Sequence, residues 1–160
     1  MEIRIFTDGA CSENPGPGGW GAVFYKDTKQ EIISGHEVET TNNRMELMAV
    51  VESLRKIIHD RDYLKDKVSY KIFCDSAYVV NSINSKWIEK WKLNGWRTTR
   101  GEEIKNKDLW IKLLKLIGKL IEKDISVEVI KIKGHSDNAF NDHVDEIAKA
   151  EVKLARREKG

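Results

Sequence analysis

Two aspartates of this sequence each follow a segment typical of a β-strand. Asp8 directly follows the segment 3–7 and precedes a glycine. Asp75 directly follows the segment 68–74 and precedes a serine. If the two strands are parallel neighbours, their carboxyl ends lie at one sheet edge and bring both carboxylates together. An aspartate before glycine is also ordinary turn chemistry, so neither residue indicates a site by itself.

Two further acids lie in segments with helical periodicity. The apolar spacing predicts one helix over about 43–59, with Glu46 in its first turn, and a last helix from about residue 140 that carries Asp145. A glutamate in the first turn is favoured by the helix dipole, so simple electrostatics would also explain Glu46. Asp142 precedes Asp145 by three residues and would share its helix face.

Convergence of these acids on one site would require positive charge. Neighbouring carboxylates repel each other and are costly to keep ionised unless cations neutralise them. Oxygen ligands without thiolates or several imidazoles suit Mg²⁺ or Mn²⁺. Two such ions stabilise both the attacking and the leaving oxygen of a phosphoryl displacement. The acids that would form this pocket are Asp8, Glu46, Asp75 and Asp145.

A basic stretch with interleaved tryptophans runs from residue 86 to residue 107. Apolar stacking surfaces among cations suit a nucleic-acid backbone and its sugars, although a partly buried tryptophan cluster with a solvated basic rim would give the same pattern. Combined with the acids, this stretch indicates a metal-dependent nuclease. The residues are Lys86, Trp87, Lys90, Trp91, Lys92, Trp96, Arg97, Arg100, Lys105 and Lys107.

The elements that position these residues form an α/β pattern. The first three strands should form an antiparallel meander, and a helix then returns the chain to a parallel strand by a right-handed crossover. Glycine and proline predict a loop over 11–19. Strands are predicted over 3–9, 20–25, 31–38, 68–74 and 125–132, and helices over 43–59, 77–84, about 109–121 and from residue 140.

Length and composition limit the class of protein. The 160 residues fit a single domain, and the net charge is only +2. Cys11 and Cys74 are too few for a disulfide framework and favour a reducing compartment. The sequence shows neither a secretory pattern nor an apolar run near the roughly 18 residues that span a bilayer. We therefore expect one soluble, cytoplasmic domain over 1–160 that stands alone.

Several segments, taken together, resemble one known family. They are Phe6-Thr7-Asp8-Gly9, Asn14 to Gly19, Thr41 to Leu47, Asp75-Ser76, Lys105 to Trp110, Lys133-Gly134-His135 and Asp145 to Ala148. In order and spacing they resemble type 1 ribonuclease H of bacteria over nearly the whole chain. The resemblance implies a ribonuclease H-like fold, with a five-stranded mixed sheet of three antiparallel and two parallel strands, flanked by helices. It also implies an endoribonuclease that hydrolyses the RNA strand of RNA/DNA hybrids, leaving 5′-phosphate and 3′-hydroxyl ends.

The resemblance also assigns roles in catalysis. It implies that two Mg²⁺ ions, or Mn²⁺, are bound and that His135 assists proton transfer or product release. Asp142 matches an additional acid near the metals, and Asp8 is expected to lie between the two ions. The residues matching the catalytic metal ligands are Asp8, Glu46, Asp75 and Asp145.

The resemblance further implies contacts with an RNA/DNA hybrid. The 2′-hydroxyl distinguishes RNA from DNA, and the family reads it in the minor groove. The residues that match minor-groove contacts are Asn14, Asn42 and Asn43, and those that match a pocket for a DNA-strand phosphate are Thr41 and Asn106. The residues that match the channel for DNA sugars are Trp87 and Trp91, and those in the basic protrusion are Lys86, Lys90 and Lys92. Glu39, where some relatives place an arginine, and Ala77, where a glutamine is frequent, depart from the family pattern.

Other functions are compatible with parts of the pattern. A non-catalytic binding module would leave the acids merely solvated, and an integrase-like or Holliday-junction nuclease would use a similar acidic edge. The glycines at 16–19 do not form a nucleotide cradle, since no Gly-Lys-Ser/Thr ending or helix follows them. We expect a monomer that binds an RNA/DNA hybrid, with no obligatory protein partner and no membrane association.

Overall fold

The computed structural model describes residues 2–60, 63, 68–132 and 139–160, and this part of the chain forms five strands and five helices. The strands are β1 (Glu2–Cys11), β2 (Gly16–Lys26), β3 (Lys29–Thr40), β4 (Ser69–Cys74) and β5 (Ser126–Lys131). The helices are α1 (Asn42–His59), α2 (Ala77–Asn84), α3 (Trp87–Leu93), α4 (Lys107–Glu122) and α5 (Ala139–Lys159). None of these described helices has the length and apolar character needed to cross a bilayer.

One sheet holds the strands in the order β3-β2-β1-β4-β5. β2 is antiparallel to β1 and β3, whereas β4 is parallel to β1 and β5. This arrangement confirms the predicted mixed sheet of three antiparallel and two parallel strands. Since α1 connects β3 to β4, the chain crosses over the sheet and brings β4 beside the central strand β1.

Apolar side chains pack on both faces of the sheet. The larger core includes Ile5 of β1 and Leu47 of α1. On the other face, the ring of Phe6 stacks on those of Phe73 and Phe140, with centroid separations of 4.8 and 5.2 Å. Because successive strand residues point to opposite faces, β1 contributes to both cores. Each fully buried large apolar side chain stabilises the fold by roughly 1.5–3 kcal/mol.

The glycine-rich segment belongs mainly to the sheet, so the predicted loop over 11–19 is wrong for most of its length. Cys11 is the last residue of β1, and β2 begins at Gly16. A Cβ on Gly19 would lie 2.5 Å from the Cβ of Glu151 in α5. The absent side chain therefore lets α5 pack directly on β2, a close approach that glycine in a strand often marks.

Gly9 provides a similar close approach between β1 and α1. A Cβ there would lie 2.4 Å from the backbone nitrogen of Glu46 and 2.5 Å from the carbonyl carbon of Met45. We expect Gly9→Ala to lower the free energy of unfolding by at least about 2 kcal/mol, because the clash is with backbone that must shift. Urea denaturation measures this loss.

Gly118 in α4 is the matched control, since a Cβ added there meets nothing within 4 Å. Gly118→Ala should raise the free energy of unfolding by roughly 0.5–1 kcal/mol, because glycine is a poor residue for a helix interior. Equal effects of the two substitutions would contradict the close packing of α1 on β1.

Candidate metal and nucleic-acid site

Three acids meet at the carboxyl ends of the parallel strands. The pairing of β1 with β4 ends at Thr7 and Cys74, and Asp8 and Asp75 are the residues that follow. Asp8 does not end β1 as the sequence indicated, because β1 continues to Cys11 and Asp8 pairs with Gly21 of β2. Glu46 of α1 completes the group, and one carboxylate oxygen from each acid lies within 4.8 Å of the other two. The predicted convergence of Asp8, Glu46 and Asp75 is therefore observed.

Glu46 enters the cluster from the second turn of α1, not from its first. α1 begins at Asn42, which makes Glu46 its fifth residue, and the first turn holds no acid. The prediction of a first-turn position was wrong because α1 starts one residue earlier than the capping pattern indicated. Stabilisation by the helix dipole falls off within the first turn, so it does not explain a buried glutamate here.

Burial and like charge make ionisation of these acids unfavourable. Asp8 is 6% exposed and Glu46 is 5% exposed. Desolvation, together with the charge of Asp75, raises the pKa of Asp8 from 3.8 to about 7. Desolvation, followed by the charges of Asp8 and Asp75, also raises the pKa of Glu46. Without a neutralising cation the cluster would therefore hold protons near neutral pH.

The chemistry of the cluster fits a hard divalent cation. Its ligand atoms are carboxylate oxygens, which Mg²⁺ and Mn²⁺ prefer. A thiol lies beside the cluster, since Sγ of Cys74 is 4.0 Å from Oε2 of Glu46. Desolvation raises the pKa of the Cys74 thiol well above its usual value, so it stays protonated and does not become a thiolate ligand.

Asp145 lies beside this cluster without joining the group of three. The nearby carboxyl of Asp145 contributes to the raised pKa of Asp8, after desolvation and the charge of Asp75. Its Oδ2 also accepts a hydrogen bond from Nζ of Lys149, at 2.9 Å along the same helix. Asp142 is exposed on α5. His135, the predicted proton-transfer residue, lies outside the described residues.

Four of the predicted hybrid contacts meet at the N-terminus of α1. The backbone N–H of Asn42 donates to Oδ1 of Asn14 at 3.0 Å. The side chain of Thr41 accepts from the N–H of Arg44 at 3.2 Å. These bonds satisfy helix N–H groups that would otherwise lack partners. The side chains of Asn14, Asn42 and Asn43 are exposed along this edge.

The pair of Arg44 and Asp108 was missed in the sequence. The two terminal nitrogens of Arg44 donate to the two carboxylate oxygens of Asp108, at 2.9 and 2.6 Å. This bidentate contact fastens the first turn of α1 to the first turn of α4. It also places Asn106, which precedes α4, near Thr41, which precedes α1. The residues are 64 positions apart, so no local spacing could have revealed the pair.

The basic protrusion presents its cations to solvent. Lys86, Lys90 and Lys92 are exposed on or beside α3. Trp87 is 41% exposed, whereas Trp91 is partly buried and packs edge-on against Trp110 at a ring distance of 5.6 Å. The tryptophans thus have different environments: Trp87 offers an open apolar surface, and Trp91 also anchors α3 to the core.

The two departures from the family pattern differ in their consequences. Glu39 binds Nζ of Lys159 at 3.0 Å, so its charge is partly compensated by the end of α5. Ala77 is exposed at the start of α2 and offers no hydrogen-bonding side chain. Any polar contact to a ligand in that region must therefore come from a neighbouring residue.

Solved structures share this fold. LC9-RNase H1, described as a type 1 RNase H with the type 2 active-site motif, superposes with a TM-score of 0.77 at 25% identity, covering 96% of this chain and 73% of that chain. LC11-RNase H1 in complex with RNA/DNA hybrid superposes with a TM-score of 0.70 at 23% identity, covering 96% of this chain and 99% of that chain. The protein therefore has the fold of the ribonuclease H class.

Sequence comparison then identifies the family. The sequence model of RNase H matches residues 1–153. Ribonuclease H of Caldicellulosiruptor saccharolyticus is 44% identical over 155 residues, 97% of this chain and 99% of the relative. Ribonuclease H of Acetivibrio thermocellus is 45% identical over 152 residues, 95% of each chain. The chain belongs to the ribonuclease H family and is a nuclease of the hydrolase class.

The shifted pKa of Asp8 predicts how pH affects stability without metal. Between pH 3.8 and about 7 the folded state holds the Asp8 proton and the unfolded state loses it, so stability falls as pH rises. In EDTA at pH 8, Asp8→Asn should raise the free energy of unfolding by on the order of 3 kcal/mol, at about 1.4 kcal/mol per pKa unit. Urea denaturation across pH should show this gain disappear below pH 4.

Asp142→Asn is the control, because it removes an exposed carboxylate from α5, three residues before Asp145. It should change the unfolding free energy by less than about 0.5 kcal/mol at either pH. Mg²⁺ should stabilise the wild type at pH 8 and stabilise Asp8→Asn much less. A stability of Asp8→Asn equal to that of the wild type at both pH values would contradict the buried like-charge cluster.

Proposed function

We propose that the protein is an endoribonuclease that hydrolyses the RNA strand of RNA/DNA hybrids with two divalent cations, Mg²⁺ or Mn²⁺. The observation that carries this proposal is the group of Asp8, Glu46 and Asp75, whose ligand oxygens lie within 4.8 Å of one another. Asp145 stands next to Asp8 and supplies a fourth carboxylate for a second ion. Products with 5′-phosphate and 3′-hydroxyl ends are part of the proposal.

The chain's own residues would hold and orient the reacting groups. Cations bound by the carboxylates would lower the pKa of the attacking water and stabilise charge on the leaving 3′ oxygen. Asp8 lies within β1 and Asp75 directly follows β4, so the sheet fixes two ligands before the substrate arrives, which favours electrostatic preorganisation. His135 is proposed to move a proton near neutral pH, and Asp142 to supply further negative charge near the cations.

Several features support an RNA/DNA hybrid as the substrate. Asn14, Asn42 and Asn43 provide exposed amides beside the acids, and amides can both donate to and accept from a 2′-hydroxyl. The relative LC11-RNase H1 was solved in complex with RNA/DNA hybrid. We extend the proposal to a cytoplasmic monomer that acts as a single domain over 1–160, with no obligatory protein partner.

The substrate is tested by comparing nucleic acids under matched metal conditions. Labelled RNA paired to DNA should be cut in Mg²⁺ or Mn²⁺ and not in EDTA, while duplex DNA and duplex RNA remain intact. Asp8→Asn should still bind the hybrid but cleave at least about 100-fold more slowly, because it removes a central source of electrostatic stabilisation. Mapping the product ends tests whether cleavage leaves 5′-phosphate and 3′-hydroxyl groups, as proposed.

Two results would redirect the proposal. Equal cutting of duplex or junction DNA would favour an integrase-like or junction-resolving nuclease. Tight hybrid binding without cleavage in any of these metals would favour a non-catalytic binding module. Asp27→Asn is the control for Asp8→Asn, because it also replaces an acid by its amide, but at an exposed position in the turn between β2 and β3, away from the acidic group.

The basic protrusion should contribute to hybrid affinity through phosphate charges. Replacing Lys86, Lys90 and Lys92 by glutamine should weaken binding and reduce the slope of log affinity against log salt by up to roughly 3, at about 0.9 per lost phosphate contact. Fluorescence anisotropy in EDTA over a salt series measures both effects without cleavage.

The matched control removes the same charge from α4, where Lys112, Lys115 and Lys119 are exposed. Its salt slope should stay within about 1 of the wild type, since these lysines lie away from the acidic edge. If both triple variants show the same slope as the wild type, the protrusion is not the docking surface.

A further inference from the structure

A hydrogen-bond chain links Arg44, Asn106, Tyr78 and Trp110. Nη1 of Arg44 lies 3.5 Å from Oδ1 of Asn106, and Nδ2 of Asn106 lies 3.2 Å from the hydroxyl oxygen of Tyr78. Nε1 of Trp110 donates to the same hydroxyl oxygen at 3.0 Å. The rings of Tyr78 and Trp110 pack edge-on, with centroids 5.6 Å apart. The sequence analysis assigned no role to Tyr78.

The two ends of this chain fix the direction of its hydrogen bonds. Arginine and the indole N–H are donors and cannot accept. Oδ1 of Asn106 must therefore face Arg44, which turns the amide NH₂ toward Tyr78. The oxygen of Tyr78 then accepts from both Asn106 and Trp110 and has used its acceptor positions.

Two hydrogens remain available at this point. One is the second hydrogen on Nδ2 of Asn106, and the other is the hydroxyl hydrogen of Tyr78. Within the described ranges, no acceptor is found for the hydroxyl hydrogen. A ligand that meets only donors here must itself be an acceptor, and a phosphate oxygen is the acceptor that nucleic acid offers.

Neighbouring groups favour the same ligand. Lys105 and Lys107 line a cavity of about 600 Å³ together with Asn106. Two acids, Glu103 and Asp108, also line this cavity. The carboxylate of Asp108 is bound by Arg44, and Glu103 lies 4.0 Å from Nζ of Lys107. Lys105 and Lys107 attract an anion, and each of the two acids that would repel it is paired with a cation.

From this arrangement we infer that Tyr78 is a substrate-binding residue, whose hydroxyl donates a hydrogen bond to a phosphate of the DNA strand. The inference rests on the proposed function and adds a donor to the pocket of Thr41 and Asn106. Ala77, at the neighbouring position, has no side chain capable of this contact. In relatives a glutamine is frequent at the position of Ala77, and Tyr78 would provide a polar contact in its place.

Tyr78→Phe removes the hydroxyl and keeps the ring that packs on Trp110. We expect the Kd for the hybrid in EDTA to rise about tenfold, as for loss of one hydrogen bond to a charged group. The kcat at saturating hybrid should remain within about twofold of the wild type, since Tyr78 lies outside the acid cluster. Tyr25→Phe is the control, because Tyr25 packs on Phe140 in the opposite core and should leave the Kd unchanged.

A substrate scan separates direct contact from general loosening of the pocket. Single uncharged methylphosphonates are placed along the DNA strand, and in parallel along the RNA strand. For the wild type, one DNA position should weaken binding strongly; for Tyr78→Phe, that same substitution should have a markedly smaller effect, while all other positions behave alike.

The outcomes distinguish this inference from the proposed function. If hybrid cleavage by the wild type is normal but Tyr78→Phe binds every substrate as the wild type does, the inference is wrong and the proposed function stands. If Tyr78→Phe weakens binding equally at all methylphosphonate positions, Tyr78 has a structural role and the inference is wrong. If the smaller effect in Tyr78→Phe falls on a position of the RNA strand, the contact is with RNA and the assignment to the DNA strand is wrong. Absence of hybrid cleavage by the wild type would instead contradict the proposed function.

Discussion

Burial of Asp8 and Glu46 beside Asp75 is the interaction on which the rest of the site depends. Desolvation and mutual repulsion raise the pKa of both buried acids, so the folded chain alone does not supply the positive charge that their ionised forms require. A divalent cation would supply the missing charge, because carboxylate oxygens within 4.8 Å of each other can share one ion. The buried acids thus lower the free energy of unfolding in the absence of metal, and they form a site that a cation can complete.

The parallel pair of β1 and β4 makes this arrangement possible. Their register ends at Thr7 and Cys74, which places the following aspartates at the same edge. Gly9 lets α1 approach until its backbone nearly touches β1, and this contact positions Glu46. The same helix begins where Asn14 and Thr41 cap it, so α1 carries both Glu46 and the exposed amides of Asn42 and Asn43. One acid of the cluster and the amides proposed to bind the hybrid therefore lie on the same helix.

Patterns within single elements predicted what depends on residues close in sequence. The strand-like composition of 3–7 and 68–74 indicated two strands followed by Asp8 and Asp75, helical periodicity placed Glu46 and Asp145, and family resemblance gave all four a role. Glycines at 16–19 were interpreted as a loop, because their role depends on contact with α5, which lies far along the chain. The pair of Arg44 and Asp108 and the hydrogen bonds of Tyr78 likewise depend on tertiary packing. No residue spacing within one element reveals such contacts.

Proton release on metal binding tests the buried acidic cluster most directly. Calorimetric titration with Mn²⁺ at pH 7, in buffers of different ionisation enthalpy, counts the protons released per ion. Because the pKa of Asp8 is about 7 without metal, binding should release about half a proton or more at pH 7, and the contribution of Asp8 should disappear by pH 9. Mn²⁺ binding without proton release at pH 7, or with equal affinity in Asp8→Asn, would contradict a metal site built on these carboxylates.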